Sequence, residues 1–185
     1  MYRLRELDPI TVRRGIAGLI VVVALVALGI ILLGGDDSEE STPGEAVALS
    51  ESELLGQAGA LGHPTYWIGP RPGTTSYELT ATPDGRNYVR YLTGEAEAGD
   101  PQPSFLTIGT YSVPNARQAL RKASNESNGG ETVAHHSGYE VLPGASGSNA
   151  YVVFDNQPDL QIEVFSPKPG EAVELAESGA LRPLG

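Results

Sequence analysis

The hydrophobic pattern begins with a long apolar segment near the N-terminus. Residues 15–35 contain no charged side chain, and residues 16–33 are almost entirely Ile, Val, Leu, Ala and Gly. At about 1.5 Å of rise per residue, a helix of this length spans the roughly 30 Å hydrocarbon core of a bilayer. The pattern therefore predicts a transmembrane helix over residues 15–35, with the lipid bilayer as its partner.

The charges on either side of this segment predict its orientation. Four arginines lie in residues 1–14, whereas every charge between the segment and Arg71 is acidic. Because Lys and Arg are enriched on the cytoplasmic side of membrane spans, we expect a cytoplasmic tail over residues 1–14 and an extracytoplasmic C-terminal domain. A cleaved signal peptide is the alternative, but its apolar region is shorter and ends in an A-x-A-like site, unlike Leu32-Leu33-Gly34-Gly35. We therefore expect an uncleaved signal anchor in a single-pass protein of the cell membrane.

Two regions follow the apolar segment. Residues 36–48 are mainly acidic residues, Ser, Pro and Gly, a composition typical of a solvated linker. Residues 49–185 contain alternating and helical apolar patterns. We expect them to form one extracytoplasmic domain.

The domain is predicted to begin with a helix. Ser50 and Glu53 have the spacing of a capping box, and Leu49 and Leu54 have that of a hydrophobic staple. One apolar face of the helix consists of Leu54, Leu55, Ala58 and Leu61. Gly62 is expected to end the helix, because glycine is favoured directly after a helix C-terminus.

A β-hairpin is predicted by both the pattern and the turn. Residues 76–81 and 87–93 flank Pro83-Asp84-Gly85, which suits a three-residue loop with a left-handed glycine. The matching register places Tyr77 opposite Tyr91, Leu79 opposite Val89, and Glu78 opposite Arg90. We expect Glu78 and Arg90 to form a surface pair worth less than about 1 kcal/mol.

The remaining patterns predict an α+β fold. Helices are expected after Pro114 and Pro169, and further strands over residues 66–68, 105–111, 131–136, 139–142, 150–154 and 160–164. Residues 108–120 and 162–175 both run strand, aromatic-Ser, Pro and helix, which suggests two β-β-α-type pseudo-repeats unless the short match arises by chance. Two such halves predict an antiparallel sheet covered by helices on one face, preceded by the transmembrane helix.

Charge and composition exclude several kinds of site. The formal net charge is −11, and residues 36–185 hold 8 basic and 21 acidic side chains, so nucleic-acid binding is not expected. The chain has no cysteine, which excludes disulfides, zinc–cysteine sites and thiol nucleophiles. His135 and His136 are adjacent in a predicted strand and point to opposite faces. We expect no metal site and no cofactor, and we assign no catalytic residue.

Residues 62–73 form the least ordinary segment of the domain. They include the only Trp of the chain and the first basic residue after the apolar segment. Because Trp and Tyr beside Arg are common in contact surfaces, we name His63, Tyr66, Trp67 and Arg71 as candidate binding residues. The alternative is that the aromatic residues anchor a short strand in the core, with the Gly-Pro pairs as turns.

This segment and the hairpin resemble a known group of sequences. The motifs that carry the resemblance are Gly62-His63-Pro64-Thr65-Tyr66-Trp67, Tyr77-Glu78-Leu79-Thr80, Asp84-Gly85-Arg86, Tyr88-Val89-Arg90-Tyr91-Leu92 and Ala98-Gly99-Asp100-Pro101. Over about residues 54–183 the chain is similar to uncharacterised bacterial membrane proteins with one N-terminal span, mainly from high-GC Gram-positive bacteria. The resemblance implies an exported α+β domain, and it implies no activity or catalytic residue.

These observations predict location and functional class. We expect a membrane-anchored, extracytoplasmic binding module of the cell envelope, whose partner is an unidentified envelope protein or ligand. The alternative is a hydrolase of envelope polymers, which needs Asp or Glu side chains that converge in a cleft. A sensor that signals through the span is a third interpretation, and its short tail would need a partner for output.

Overall fold

The computed structural model describes residues 46–126 and 133–185. The predicted tail (1–14), the transmembrane helix (15–35) and nearly all of the linker (36–48) lie outside these residues, as does the start of the strand expected over 131–136. Within the described ranges, no helix combines the length and the apolar character that a membrane crossing requires.

The described residues form three helices and nine strands. The helices are α1 (Glu51–Ala60), α2 (Ala116–Glu126) and α3 (Glu171–Glu177). The strands are β1 (Tyr66–Trp67), β2 (Thr74–Ala81), β3 (Asn87–Thr93), β4 (Leu106–Ser112), β5 (Ala134–His136), β6 (Tyr139–Pro143), β7 (Asn149–Phe154), β8 (Leu160–Phe165) and β9 (Arg182–Pro183). Every helix and strand predicted for residues 49–185 has a counterpart among them, whereas β9 was not predicted.

Seven strands form one antiparallel sheet in the order β2-β3-β4-β8-β7-β6-β5, and β1 and β9 form a separate two-stranded ribbon. Each half of the chain starts at one edge of this sheet and proceeds strand by strand to its centre. The first half runs from β2 to β4, and the second half runs from β5 to β8. The final strands of the two halves, β4 and β8, pair with each other in the middle. The architecture is therefore α+β, as the sequence predicts.

The predicted hairpin is confirmed in register and in turn geometry. Tyr77 lies opposite Tyr91, and Glu78 lies opposite Arg90. Gly85 has a φ of 81°, in the left-handed region. The Gly85 N–H donates to the Thr82 carbonyl, so the turn closes on itself and sets the register of the two strands.

The N-terminus of α1 is also confirmed, but its apolar face is narrower than predicted. The Ser50 hydroxyl accepts from the Glu53 N–H, while the Glu53 carboxylate accepts from the Ser50 N–H. Leu54 and Ala58 are buried, whereas Leu55 is 37% exposed. The prediction for Leu55 is wrong because successive helical residues are rotated by about 100°, which carries Leu55 away from the face of its neighbour.

One face of the sheet carries the hydrophobic core. Successive strand residues point to opposite faces, and on this apolar face Val89, Ile108, Ile162 and Val164 are fully buried. The covering residues come from α1, α3, the β1–β9 ribbon and the C-terminal segment, and all of them belong to the same apolar cluster. The core therefore lies between the sheet and these four covering parts of the chain.

The opposite, polar face is covered in part by α2. Glu140 is next to the core residue Val141 in β6, so it points to the polar face, and there its carboxylate accepts from Arg121 of α2. The same helix packs against β6, β7 and β8. The expectation that helices cover one face is therefore wrong, because α2 buries Ala116 and Leu120 on the other side, where Arg121 also pairs with Glu140.

Candidate functional site

The β1–β9 ribbon contains two of the four predicted binding residues. Tyr66 lies opposite Pro183, and Trp67 lies opposite Arg182. Tyr66 and Trp67 are each only 4% exposed. Both aromatic side chains therefore lie in the core, in the position that the alternative interpretation describes.

Two hydrogen bonds hold the ribbon on the sheet. The Tyr66 N–H donates to the Thr110 hydroxyl at 3.0 Å, and the Ile68 N–H donates to the Tyr91 hydroxyl at 2.9 Å. Since both acceptors belong to central strands, the ribbon is fixed across the apolar face. Burial raises the pKa of Tyr91, so its hydroxyl remains neutral under ordinary conditions.

Arg182 is the exposed residue of this region, and sequence analysis did not identify it. Its guanidinium lies over the Trp67 ring, with Cζ 5.4 Å from the ring centroid. It also lies against Gly69, where an added Cβ would approach the guanidinium Nη2 to 2.3 Å, and the φ of Gly69 is 78°. Among the described residues, no carboxylate lies within ion-pair distance of Arg182.

Arg71 is fixed by an ion pair close to the same region. Its Nη2 is 3.0 Å from the Glu171 carboxylate, and its side chain is 29% exposed. Hydrogen bonding from Ser166, with further contributions from Arg71 and Lys168, lowers the pKa of Glu171. Coulombic interactions with Arg71 and Arg182 partly offset the rise in the Tyr91 pKa that burial causes.

His63 lies apart from the two arginines. It is exposed, and its Nδ1 is 2.8 Å from the side-chain Nδ2 of Asn87. Asn87 and Tyr91 are four residues apart on β3, which corresponds to about 13 Å along a strand. Of the predicted residues, Trp67 therefore contacts Arg182, Arg71 is paired with Glu171, and His63 is bonded to Asn87 on β3.

Three glutamates are buried on the polar face, and Glu78 is the first of them. Its carboxylate accepts from Arg90 at 3.0 Å and from the Gly99 N–H at 2.9 Å. The Glu78 and Arg90 side chains are only 7% and 14% exposed. The prediction of a surface pair is therefore wrong, because the loop before β4 covers the pair: Arg90 also donates to the Asp100 carbonyl.

Glu140 is held by cations from α2. Its carboxylate accepts from Arg121, and the Arg117 Nε lies 3.8 Å away. Hydrogen bonding from Arg121 lowers the pKa of Glu140. Glu140 therefore remains ionised and ties α2 to β6.

Glu163 is buried without a cation. Tyr111 donates to one carboxylate oxygen at 2.5 Å, and the Asn149 amide donates to the other at 2.5 Å. Within the described ranges, no Lys or Arg lies at ion-pair distance from it. Burial raises the pKa of Glu163, while the two hydrogen bonds act in the opposite direction.

The three glutamates do not converge. Glu78 lies on β2, Glu140 on β6 and Glu163 on β8. At about 4.8 Å between neighbouring strands, the strand of Glu163 is about 14 Å from that of Glu78 and about 10 Å from that of Glu140. The three buried carboxylates therefore lie on separate strands that are not neighbours.

Two further observations concern possible ligand and metal sites on the described residues. An open depression of about 580 Å³ runs along α2, and it is lined by Pro114, Asn115, Gln118, Ala119, Arg121, Lys122 and Asn125. All of these residues come from one helix and the loop before it, so the depression has no second described wall. No group of three or more metal-ligating side chains occurs in the described part of the chain.

Comparisons with known proteins identify no relative of this domain. No protein-family model matches the chain, and no match was found among curated proteins or solved structures. The resemblance to exported bacterial proteins therefore remains a prediction from the sequence motifs.

Proposed function

We propose that the chain is a membrane-anchored, extracytoplasmic binding module of the cell envelope. The uncharged segment over residues 15–35 and the arginines before it support the anchor and its orientation. The observation that carries the binding function is the position of Arg182, an exposed residue, with its guanidinium over the buried ring of Trp67. We call Arg71, Trp67 and Arg182 the arginine surface.

The arginine surface is suited to contact with an anionic group. A guanidinium presents planar donors that match carboxylate and phosphate geometry. Stacking on Trp67 and contact with Gly69 restrict the Arg182 side chain before any partner arrives, which lowers the entropy cost of binding. The partner in this proposal is an envelope protein or ligand that offers a carboxylate or phosphate.

A binding module is preferred to a hydrolase for a specific reason. Glu78 and Glu140 are each ion-paired to arginines, and Glu163 lies on a different strand from both. Glu78 and Glu140 are therefore engaged in ion pairs that hold the polar face together.

We further propose that the domain consists of two pseudo-repeats of the β-β-α type behind one transmembrane helix. When each half is superimposed on the other, Ile108 corresponds to Ile162 and Thr110 corresponds to Val164. The cross-strand pair Ile108–Val164 therefore corresponds to the cross-strand pair Ile162–Thr110. The same superposition relates Tyr77-Glu78-Leu79 in β2 to Tyr139-Glu140-Val141 in β6. Both glutamates are buried on the polar face, so the likeness includes side-chain chemistry as well as strand order.

A membrane-impermeant, amine-reactive crosslinker added to intact spheroplasts tests location and binding together. Lys168 is 77% exposed and lies 3.7 Å from Glu171, the partner of Arg71. We expect the wild-type protein to form a crosslinked species. This species should be lost in Lys168→Arg and in Arg182→Ala, and it should persist in Arg86→Ala.

The controls separate the parts of the proposal. Arg86→Ala removes an exposed cation elsewhere on the domain, where the Arg86 side chain is 34% exposed. No reaction of the wild-type protein until the spheroplasts are lysed would contradict the extracytoplasmic location. An unchanged crosslinked species in folded Arg182→Ala would contradict the arginine surface.

A further inference from the structure

Three tyrosines surround Glu163 at the centre of the polar face. Glu163 lies between Gly109 of β4 and Tyr151 of β7, and Tyr88 of β3 lies opposite Gly109. Tyr111 follows on β4 and donates its hydroxyl to the Glu163 carboxylate. We call Tyr88, Tyr111 and Tyr151 the tyrosine cluster.

Gly109 allows Tyr111 to reach Glu163. A Cβ added at Gly109 would come within 2.4 Å of the Tyr111 hydroxyl and 2.8 Å of its ring carbon Cζ. The Tyr111 ring therefore lies over the backbone of its own strand, in space that only a glycine leaves open. The contact between Tyr111 and Glu163 depends on this absence of a side chain.

The tyrosine cluster connects Glu163 with the protein surface. Tyr88 packs edge-on against Tyr111, with ring centroids 5.7 Å apart. Tyr88 follows Arg86 by two residues, and Arg86 is partly exposed at the hairpin turn. The tyrosine cluster therefore extends from Glu163 toward that turn.

We propose that Glu163 is a proton-responsive switch of the polar face. In the closed state the carboxyl is protonated: its O–H donates to the Tyr111 oxygen, in place of the hydrogen bond that Tyr111 donates to the carboxylate, while Asn149 still donates to the other oxygen. On ionisation the carboxylate draws water into the cluster and loosens the contact of β7 and β8 with α2. This proposal is independent of the arginine surface, which lies on the other side of the sheet.

The groups that face Glu163 determine the direction of the response. Tyr111 comes from β4, Tyr151 and Asn149 come from β7, and each of these is uncharged. From α2, Arg117 and Arg121 face this side of the sheet, but they bind Asp155 and Glu140. No facing cation therefore offsets the cost of ionising Glu163 in a buried position.

The sign of the pH dependence follows from the raised pKa of Glu163. A carboxyl whose folded-state pKa lies above its unfolded value contributes stability that is complete below the unfolded value, 4.5 for Glu. That contribution is lost as the pH rises through the folded-state pKa. The closed polar face is therefore favoured in acid and weakened toward neutral pH.

Hydrogen exchange of the full-length chain in detergent micelles tests the switch. Protection of β7 and β8 amides, corrected for intrinsic exchange rates, is compared between wild type and Glu163→Gln from pH 4 to pH 8. As the pH rises, we expect the protection factors of Glu163→Gln to increase relative to those of wild type. The increase should be up to about tenfold for each unit by which the Glu163 pKa exceeds its unfolded value. The two proteins should converge near pH 4.

Glu140→Gln is the matched control, because Glu140 is buried on the same face but is ion-paired. This variant should lose protection at neutral pH and converge with wild type in acid, which is the opposite trend. Carbon-13 NMR of the Glu163 carboxyl in wild type gives a second measurement. A titration at or below the ordinary carboxyl range, or an equal pH response of Glu163→Gln and wild type, would overturn the proposal.

Discussion

At the scale of single residues, burial determines how much an ion pair predicted from the sequence contributes to stability. Alternation and the turn place Glu78 opposite Arg90 in both prediction and structure. The prediction failed on burial, because alternation assigns a residue to a face without showing what covers that face. Here the loop containing Gly99 and Asp100 folds over the pair and hydrogen-bonds to both members.

Removal of one member of this pair is expected to be costly. Arg90→Ala leaves the Glu78 carboxylate buried with only a backbone donor and a hydroxyl, so the free energy of unfolding should fall by about 3 kcal/mol. Lys168→Ala, which removes an exposed cation 3.7 Å from its partner, should change it by less than about 1 kcal/mol. Urea denaturation of the full-length chain in detergent micelles measures both. Equal effects of the two substitutions would show that the Glu78–Arg90 pair behaves as a surface pair.

Glu163 shows why the buried acid was not singled out from the sequence. The segment Leu160–Phe165 alternates apolar and polar residues, and such alternation is typical of a strand with one solvated face. In the structure, tyrosines from three other strands close over the polar position. That arrangement depends on which strands become neighbours, which the local pattern does not contain.

At the scale of elements, local signals predict structure well and remote pairings poorly. The capping box of α1 and the hairpin are each specified by residues close together in sequence. The β9 strand has two residues, and its partner β1 lies more than a hundred positions earlier in the chain. No alternation is visible over two residues, so the sequence gives no signal for this strand or for Arg182.

The C-terminal segment should contribute strongly to stability although it is short. Leu184 is 5% exposed, and its N–H donates to the Thr65 carbonyl at 2.8 Å. Leu184→Ala is expected to lower the free energy of unfolding by about 2–5 kcal/mol, because it removes buried methyl groups and leaves a cavity.

A leucine on α1 provides the control for this prediction. Leu55 is 37% exposed, so Leu55→Ala should change the free energy of unfolding by about 0.5 kcal/mol or less. The same denaturation experiment compares the two variants. A similarly small effect for Leu184→Ala would mean that the C-terminal segment is not held in the core.

The side of the sheet on which α2 lies was also not predictable from its own pattern. Its buried residues Ala116 and Leu120 would suit either face of the sheet. On the polar face, Val153 and Leu142 of the sheet are also buried, and Arg117 and Arg121 reach Glu140. A hydrophobic pattern identifies an amphipathic helix but not the surface that receives it.

At the scale of the whole molecule, buried and partly buried acids make opposite contributions to pH dependence. Glu140 and Glu171 have lowered pKa values, because hydrogen bonds from Arg121 and from Ser166, respectively, favour their charged forms. Their contribution is present above the unfolded value of 4.5 and is lost as the pH falls below it. Glu163 contributes in the opposite sense, so the pH dependence of the domain's stability is the sum of these opposing contributions.

A neutral substitution at Glu171 should therefore reduce the acid sensitivity of the domain. Between pH 7 and pH 3, the urea midpoint of Glu171→Gln is expected to fall less than that of wild type. Glu174→Gln, an exposed change on the same helix, should preserve the wild-type slope. If Glu171→Gln retained the full acid sensitivity, the contacts of the Glu171 carboxylate with Ser166 and Arg71 would contribute nothing measurable to the pH dependence of stability.

The α+β class and nearly all elements of the described domain follow from the sequence, but the candidate site follows only in part. The aromatic and basic composition of residues 62–73 indicates a special segment, and Arg71 lies where a partner can reach it. The tertiary fold determines that Tyr66 and Trp67 are buried. It also determines that Arg182, from the C-terminal end, packs against Trp67. Composition can mark such a segment, but it does not show which atoms face outward.

The β1–β9 ribbon has a mechanical consequence. Pulling on the C-terminal end would load the two residue pairs of this ribbon first, while the seven-stranded sheet has much longer ladders. Hydrogen bonds in an antiparallel ribbon that is peeled from one end break in succession rather than together. A force transmitted from a partner at Arg182 would therefore release the C-terminal ribbon from Trp67 before it reached the sheet.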